Sequence, residues 1–115
     1  MKHVGNGRMV HSQGSALAVW RSTIGLAAKA QGARKIEGAV AIELDFQVLK
    51  PRTVKRAMPT VPPDLDKLIR AALDALTGIV YLDDSQVVEI RSSKSYAEEP
   101  GVDISVGQTF PKNLF

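Results

Sequence analysis

Four aspartates stand out by type and spacing: Asp64 with Asp66, and the adjacent pair Asp83 and Asp84. Just upstream runs the segment from Lys50 to Pro63, which holds four basic residues (Lys50, Arg52, Lys55, Arg56), four prolines and no acid. Carboxylates gathered at one point repel and raise one another's pKa unless a cation sits among them. An all-oxygen donor set with no histidine or cysteine nearby selects Mg²⁺ or Mn²⁺ over zinc. Such an ion activates water and neutralises charge growing on a phosphodiester, and two ions clamp the attacking and leaving oxygens together. The proline-rich basic segment is barred from helix and reads as an extended loop suited to a phosphate backbone. The same aspartates also have plain structural uses, Asp64 as a helix cap and Asp83-Asp84 as turn formers, and spacing alone leaves both readings open. A calcium loop is excluded, because no glycine and terminal glutamate follow Asp64 at the required positions.

The elements that must position these residues are legible around them. Leu65, Leu68, Ile69, Ala72, Leu73 and Leu76 form one apolar stripe at helical spacing. Pro62-Pro63 block extension upstream, Asp64 stands at the cap and Gly78 ends the helix. Residues 79–82 read as a strand, Asp83-Asp84-Ser85 as a turn and Gln86 to Arg91 as the returning strand of a hairpin. A helix from Asp66 to Leu76 is about 16 Å long, and a strand from Thr77 to Asp83 spans at most about 20 Å. Those lengths allow the two acidic pairs to meet.

The rest of the chain supplies a scaffold. Val40, Ile42, Leu44, Phe46 and Val48 alternate with Ala41, Glu43, Asp45 and Gln47, so residues 39–49 predict a strand with one buried and one wet face, Glu43 and Asp45 on the wet one. Leu17, Trp20, Ile24 and Ala27 or Ala28 recur every three or four residues, predicting a helix from Ser15 as N-cap to Gln31, stopped by Gly32. Asn6-Gly7 suits a short N-terminal hairpin, Val102 to Val106 a last strand, and residues 108–115 a loose tail. The fold class is therefore α+β, a mixed or antiparallel sheet packed by two main helices.

The 115 residues make one domain of ordinary size (1–115). The absence of cysteine removes disulfides, thiol catalysis and thiolate zinc sites, and fits a reducing compartment. Apolar runs are too short for a membrane span or a signal peptide. Gly5 and Gly7 are followed by no Gly-Lys-Ser/Thr, which excludes a phosphate loop. His3 and His11 have no metal-ligand partner in the sequence and read as surface residues. Fifteen basic against twelve acidic side chains give a net charge of +3, a mild bias whose distribution matters more than its sum.

Pro63-Asp64-Leu65-Asp66-Lys67-Leu68-Ile69-Arg70, then Asp74-Ala75-Leu76-Thr77-Gly78, then Asp83-Asp84-Ser85-Gln86-Val87 with Lys94 downstream, resembles the RusA family of Holliday-junction resolvases, commonly carried by phages and prophages. The resemblance runs from about Ala39 to Tyr96, and more weakly over Gly5 to Trp20. It implies a RusA-like fold and a Mg²⁺-dependent endonuclease (Mn²⁺ a possible substitute), acting as a homodimer in the cytoplasm of a bacterial or phage-infected cell. Its substrate would be branched DNA, a four-way junction nicked on two opposing strands in recombination and repair. By motif position Asp64, Asp66 and Asp84 match the family's metal-binding carboxylates, with Asp83 a neighbouring ligand candidate. Arg70 stands where the family has a catalytic Lys and Lys67 where it often has Asn; an arginine one turn after Asp66 holds a phosphate but does not exchange a proton at working pH. Lys94 resembles the family's downstream basic residue. Lys50, Arg52, Lys55, Arg56, Lys67 and Lys94 are the DNA-contacting candidates. The family's usual first strand and basic loop are expected to be missing before Gly5. Two other functions stay in view: an inactive or truncated relative that only binds branched DNA, and a nuclease that also cuts flaps, forks or nicked duplex.

Overall fold

A computed structural model describes residues 2–3, 16–32 and 34–109. They form the order β1 (Lys2–His3), α1 (Ala16–Ala30), β2 (Val40–Leu49), α2 (Leu65–Leu76), a single 3₁₀ turn (Asp84–Gln86), β3 (Val87–Ala97) and β4 (Gly101–Gln108). The strands make one mixed sheet in the order β1-β4-β2-β3. β2 lies parallel to β3 and antiparallel to β4, and β4 carries the short β1. The α+β class with two helices is the one the sequence patterns predict.

The alternation of β2 does the sorting. Val40, Ile42, Leu44 and Phe46 are buried, while Glu43 and Asp45 are exposed on the opposite face. Both helices share one core with that buried face: Trp20, Ile24 and Ala28 from α1, and Leu68, Ala72, Ala75 and Leu76 from α2. Val102, Ile104 and Val106 of β4 complete it. Trp20 meets Phe46 edge to face with ring centroids 5.6 Å apart, the arrangement aromatic quadrupoles favour. Gly32 ends α1 at a φ of 62°, where a side chain would be strained. The expected N-terminal hairpin, the Ser15 cap and the tail beyond Thr109 lie outside the described residues, as does His11.

Residues 79–82 depart from expectation. They form a tight turn, not a strand, touching Ile36 and Thr77 only through isolated bridges at Tyr81. Gly78 takes a φ of 84° and reverses the chain at once. The backbone N–H groups of Ile79 and Val80 then donate to the Leu76 carbonyl, and the Tyr81 hydroxyl donates to the Leu73 carbonyl. The apolar run therefore plugs the end of α2, with Val80 and Tyr81 buried. With no strand there, no hairpin forms, and β3 begins at Val87 and runs alongside β2 instead. The unit is β2, loop, α2, β3, a crossover between parallel strands that makes α2 run opposite to both.

Candidate active site

Two acidic half-sites flank the α2–β3 layer. At the first, Asp64 occupies the N-cap position with extended backbone angles, and its carbonyl accepts from the Lys67 and Leu68 N–H groups at 3.1 Å each. Its side chain makes no capping bond, so the carboxylate is left for another partner; its nearest cation is the Lys67 Nζ at 3.8 Å, between two exposed side chains. Asp66 follows in the first turn of α2 and Arg70 one turn later, both exposed and with no ion pair among the described residues. The helix N-terminus favours this concentration of negative charge.

The loop delivering Asp64 is braced from β3. Lys94 is in register with buried Phe46, on the helix-bearing face, and its Nζ donates to the Val61 carbonyl at 2.8 Å and the Pro63 carbonyl at 2.9 Å. Two of its three donors are thus committed to the chain just before Asp64. Two residues further along β3, Tyr96 gathers the basic loop: Arg56 donates Nη1–H to its hydroxyl at 2.7 Å, and the Lys50 Nζ sits 5.7 Å from its ring centroid. Arg52 and Lys55 are exposed on the same loop.

The second half-site lies beyond the other end of α2. Asp83 caps the 3₁₀ turn, its Oδ1 accepting from the Ser85 N–H at 3.0 Å. That backbone bond holds the Asp83 carboxyl below the usual carboxylate range. Gln86 closes the box: its Oε1 accepts from the Leu82 and Asp83 N–H groups, while its Nε2 donates to the Ile36 and Gly38 carbonyls. Asp83 is thereby engaged in local structure, and Asp84 is presented at the surface. Gln86 stands in the motif that carries the resemblance but has no role assigned from the sequence, and Tyr96 has none either. The Asp-x-x-Gln spacing of a capping box signals the first; nothing local signals a contact spanning forty residues from Arg56 to Tyr96.

The two half-sites do not meet within one chain. Asp64 and Asp66 start a helix about 18 Å long, and Asp83 and Asp84 follow its far end. β3 runs back along the same axis, and the seven steps from Val87 to Lys94 span about 23 Å of it. Among the described residues no three histidine, cysteine, aspartate or glutamate side chains cluster closely enough to hold a metal. The anticipated convergence required a returning strand at 79–82, and the Gly78 turn removes it. Asp64, Asp66 and Asp84 nevertheless remain three outward carboxylates with the oxygen chemistry that suits Mg²⁺.

The family model described as "Endodeoxyribonuclease RusA" matches residues 1–107. A curated relative, "Uncharacterized protein YqaN" of Bacillus subtilis (strain 168), is 46% identical over 48 residues, which cover 42% of this chain. The match spans 34% of the length of that relative.

Proposed function

The chain belongs to the RusA family of endodeoxyribonucleases, and from that membership we propose that it is a Mg²⁺-dependent nuclease that resolves four-way DNA junctions as a homodimer. The observation that carries the reading beyond the family is the placement of two exposed carboxylate half-sites at opposite ends of one helix–strand layer. A two-fold axis across that layer lays one copy antiparallel to the other. The Asp64–Asp66 end of each protomer then faces the partner's Asp84, which gives two complete sites, as two opposing nicks require.

The surface for such pairing is available. Among the described residues β3 is an outer strand of the sheet, and Val88 and Ile90 on it are 63% and 39% exposed, with Leu82 shortly before the 3₁₀ turn 71% exposed. Uncovered apolar side chains along a strand edge favour association with a second edge. No helix of the described residues is long and apolar enough to cross a membrane.

In this reading Asp64 and Asp66, with the partner's Asp84, hold the metal, which when bound supplies an activated water and charge neutralisation at the phosphate. The chain's own side chains do the rest. Arg70, on the same side of α2 as Asp66, grips a phosphate oxygen and holds the strand in place; it remains protonated throughout. Lys67 balances the charge of Asp64. Lys50, Arg52, Lys55 and Arg56 track the backbone of an arm, and Lys94 fixes the loop from which Asp64 projects. Cleavage of a fixed synthetic four-way junction, with and without Mg²⁺, by wild type and Asp84→Asn tests the function. Paired nicks requiring both metal and Asp84 support it. Binding without cleavage by wild type would instead identify a branched-DNA-binding relative, and equal cutting of forks or linear duplex a less selective nuclease.

A further inference from the structure

Directly beside Asp64 the fold leaves a cleft of about 810 Å³, within the range of pockets that enclose small aromatic ligands. Its walls are apolar, from Leu17 of α1, Val48 of β2, Val61 of the loop and the ring of Tyr96. Arg56 and Lys67 also line it, and among the described residues Asp64 is its one acid. The Arg56 guanidinium donates to a neutral phenol, so its positive charge is not cancelled by that contact. Apolar walls with an aromatic ring, two cations and an adjoining carboxylate suit a flat base tethered to a phosphodiester.

We propose that this cleft receives one unstacked base of the bound strand, next to the phosphate addressed by Asp64, and that Tyr96 and Arg56 thereby set where along a junction the chain cuts. The inference rests on the nuclease reading for the identity of the strand. Bases at a branch point are the least costly to unstack, and stacking on an aromatic side chain compensates for the neighbour lost. Tyr96 supplies the ring, while the Arg56 bond to its hydroxyl holds a cation at the edge of that ring. The cleft would thus contribute to cut-site preference through the fit and polar edge of the base it admits.

The test uses the full chain and a short single-stranded oligonucleotide carrying one 2-aminopurine. Wild type is expected to change that base's fluorescence on binding and to bind an otherwise identical oligonucleotide with an abasic position about tenfold more weakly. Tyr96→Phe keeps the ring and should retain the signal, whereas Tyr96→Ala should lose it. On a junction free to migrate through many sequences, Tyr96→Ala should spread cuts that wild type concentrates at few positions; Leu26→Ser, on the exposed face of α1, should cut as wild type does. Equal affinity of wild type for the intact and abasic oligonucleotides would overturn the proposal, and so would a signal that vanishes as the chain self-associates, which would make a second copy the occupant. The oligonucleotide comparison needs no cleavage. Absence of nicking by wild type therefore contradicts the nuclease reading without touching this result, and the abasic comparison stands even if Tyr96→Ala does not fold.

Discussion

Lys94 donates to the Pro63 carbonyl at 2.9 Å, one residue before Asp64, so a lysine in the middle of β3 fixes the origin of the acidic helix. A second bond to the Val61 carbonyl makes the contact a two-point brace on a loop that contributes little regular structure of its own. Lys94→Met keeps the aliphatic stem and removes both bonds. Each bond involves a charged donor, so the variant should lose about 1–3 kcal/mol of stability. Urea unfolding measures that loss. Junction cleavage should fall with it, because Asp64 is no longer held. Unchanged stability would show that the brace is dispensable.

Gln86 anchors the opposite half-site by four hydrogen bonds from one side-chain amide. Gln86→Ala should destabilise the chain by about 1–3 kcal/mol through the N–H and carbonyl groups it leaves unpaired. Gln86→Glu retains the acceptor side of the box but not the donors to Ile36 and Gly38, and should fall between the two. Thermal melts of the three proteins check the order wild type, Glu, Ala.

The Asp83 carboxyl titrates lower in the folded chain than its ordinary value of 3.8, because the Ser85 N–H bonds its charged form. A folded value below the unfolded one stabilises above the unfolded value and ceases to do so as pH falls through the folded value. Wild type should therefore exceed Asp83→Ala in melting temperature by a constant margin at neutral pH. The margin should close as the solution is acidified below the ordinary carboxylate range. A gap that persists unchanged well below that range would remove charge from the explanation of the cap.

Much of this arrangement is legible in the sequence; what is not lies in one turn and in pairings between distant segments. The apolar stripe of α2, its Pro62-Pro63 start and Gly78 stop, and the alternation of β2 are local signals, and each element appears where its pattern places it. β3 extends to Ala97, beyond the Arg91 at which its sequence pattern stops, since Ser92, Lys94 and Ser95 look unlike strand interior until the pairing with β2 is known. Residues 79–82 carried a strand's composition, yet Gly78 decided their path by turning the chain back on the last turn of α2. That single turn moved Asp83 and Asp84 to the wrong end of the helix for a site within one chain. Arg56 with Tyr96, and Lys94 with Pro63, join segments far apart in sequence, and no local pattern encodes such contacts.

Neutralising the basic loop separates positioning from general attraction. Lys55→Gln with Arg56→Gln should weaken junction binding and reduce the salt slope of log K by about 1–2, as expected for two lost phosphate contacts. Fluorescence anisotropy over a range of salt concentrations reads the slope. A slope equal to wild type would place the DNA elsewhere.

In the proposed dimer each site is completed by a second copy. Asp64→Asn and Asp84→Asn should each be inactive alone while still binding junction DNA. Mixed in equal amounts under conditions that allow exchange, they form heterodimers in which one site has both substitutions and the other has neither. The mixture should recover Mg²⁺-dependent nicking at about a quarter of the wild-type number of sites, as single nicks without paired resolution. Recovery of that kind is the predicted result. A mixture as inactive as its two components, despite demonstrated subunit exchange, would contradict the shared site.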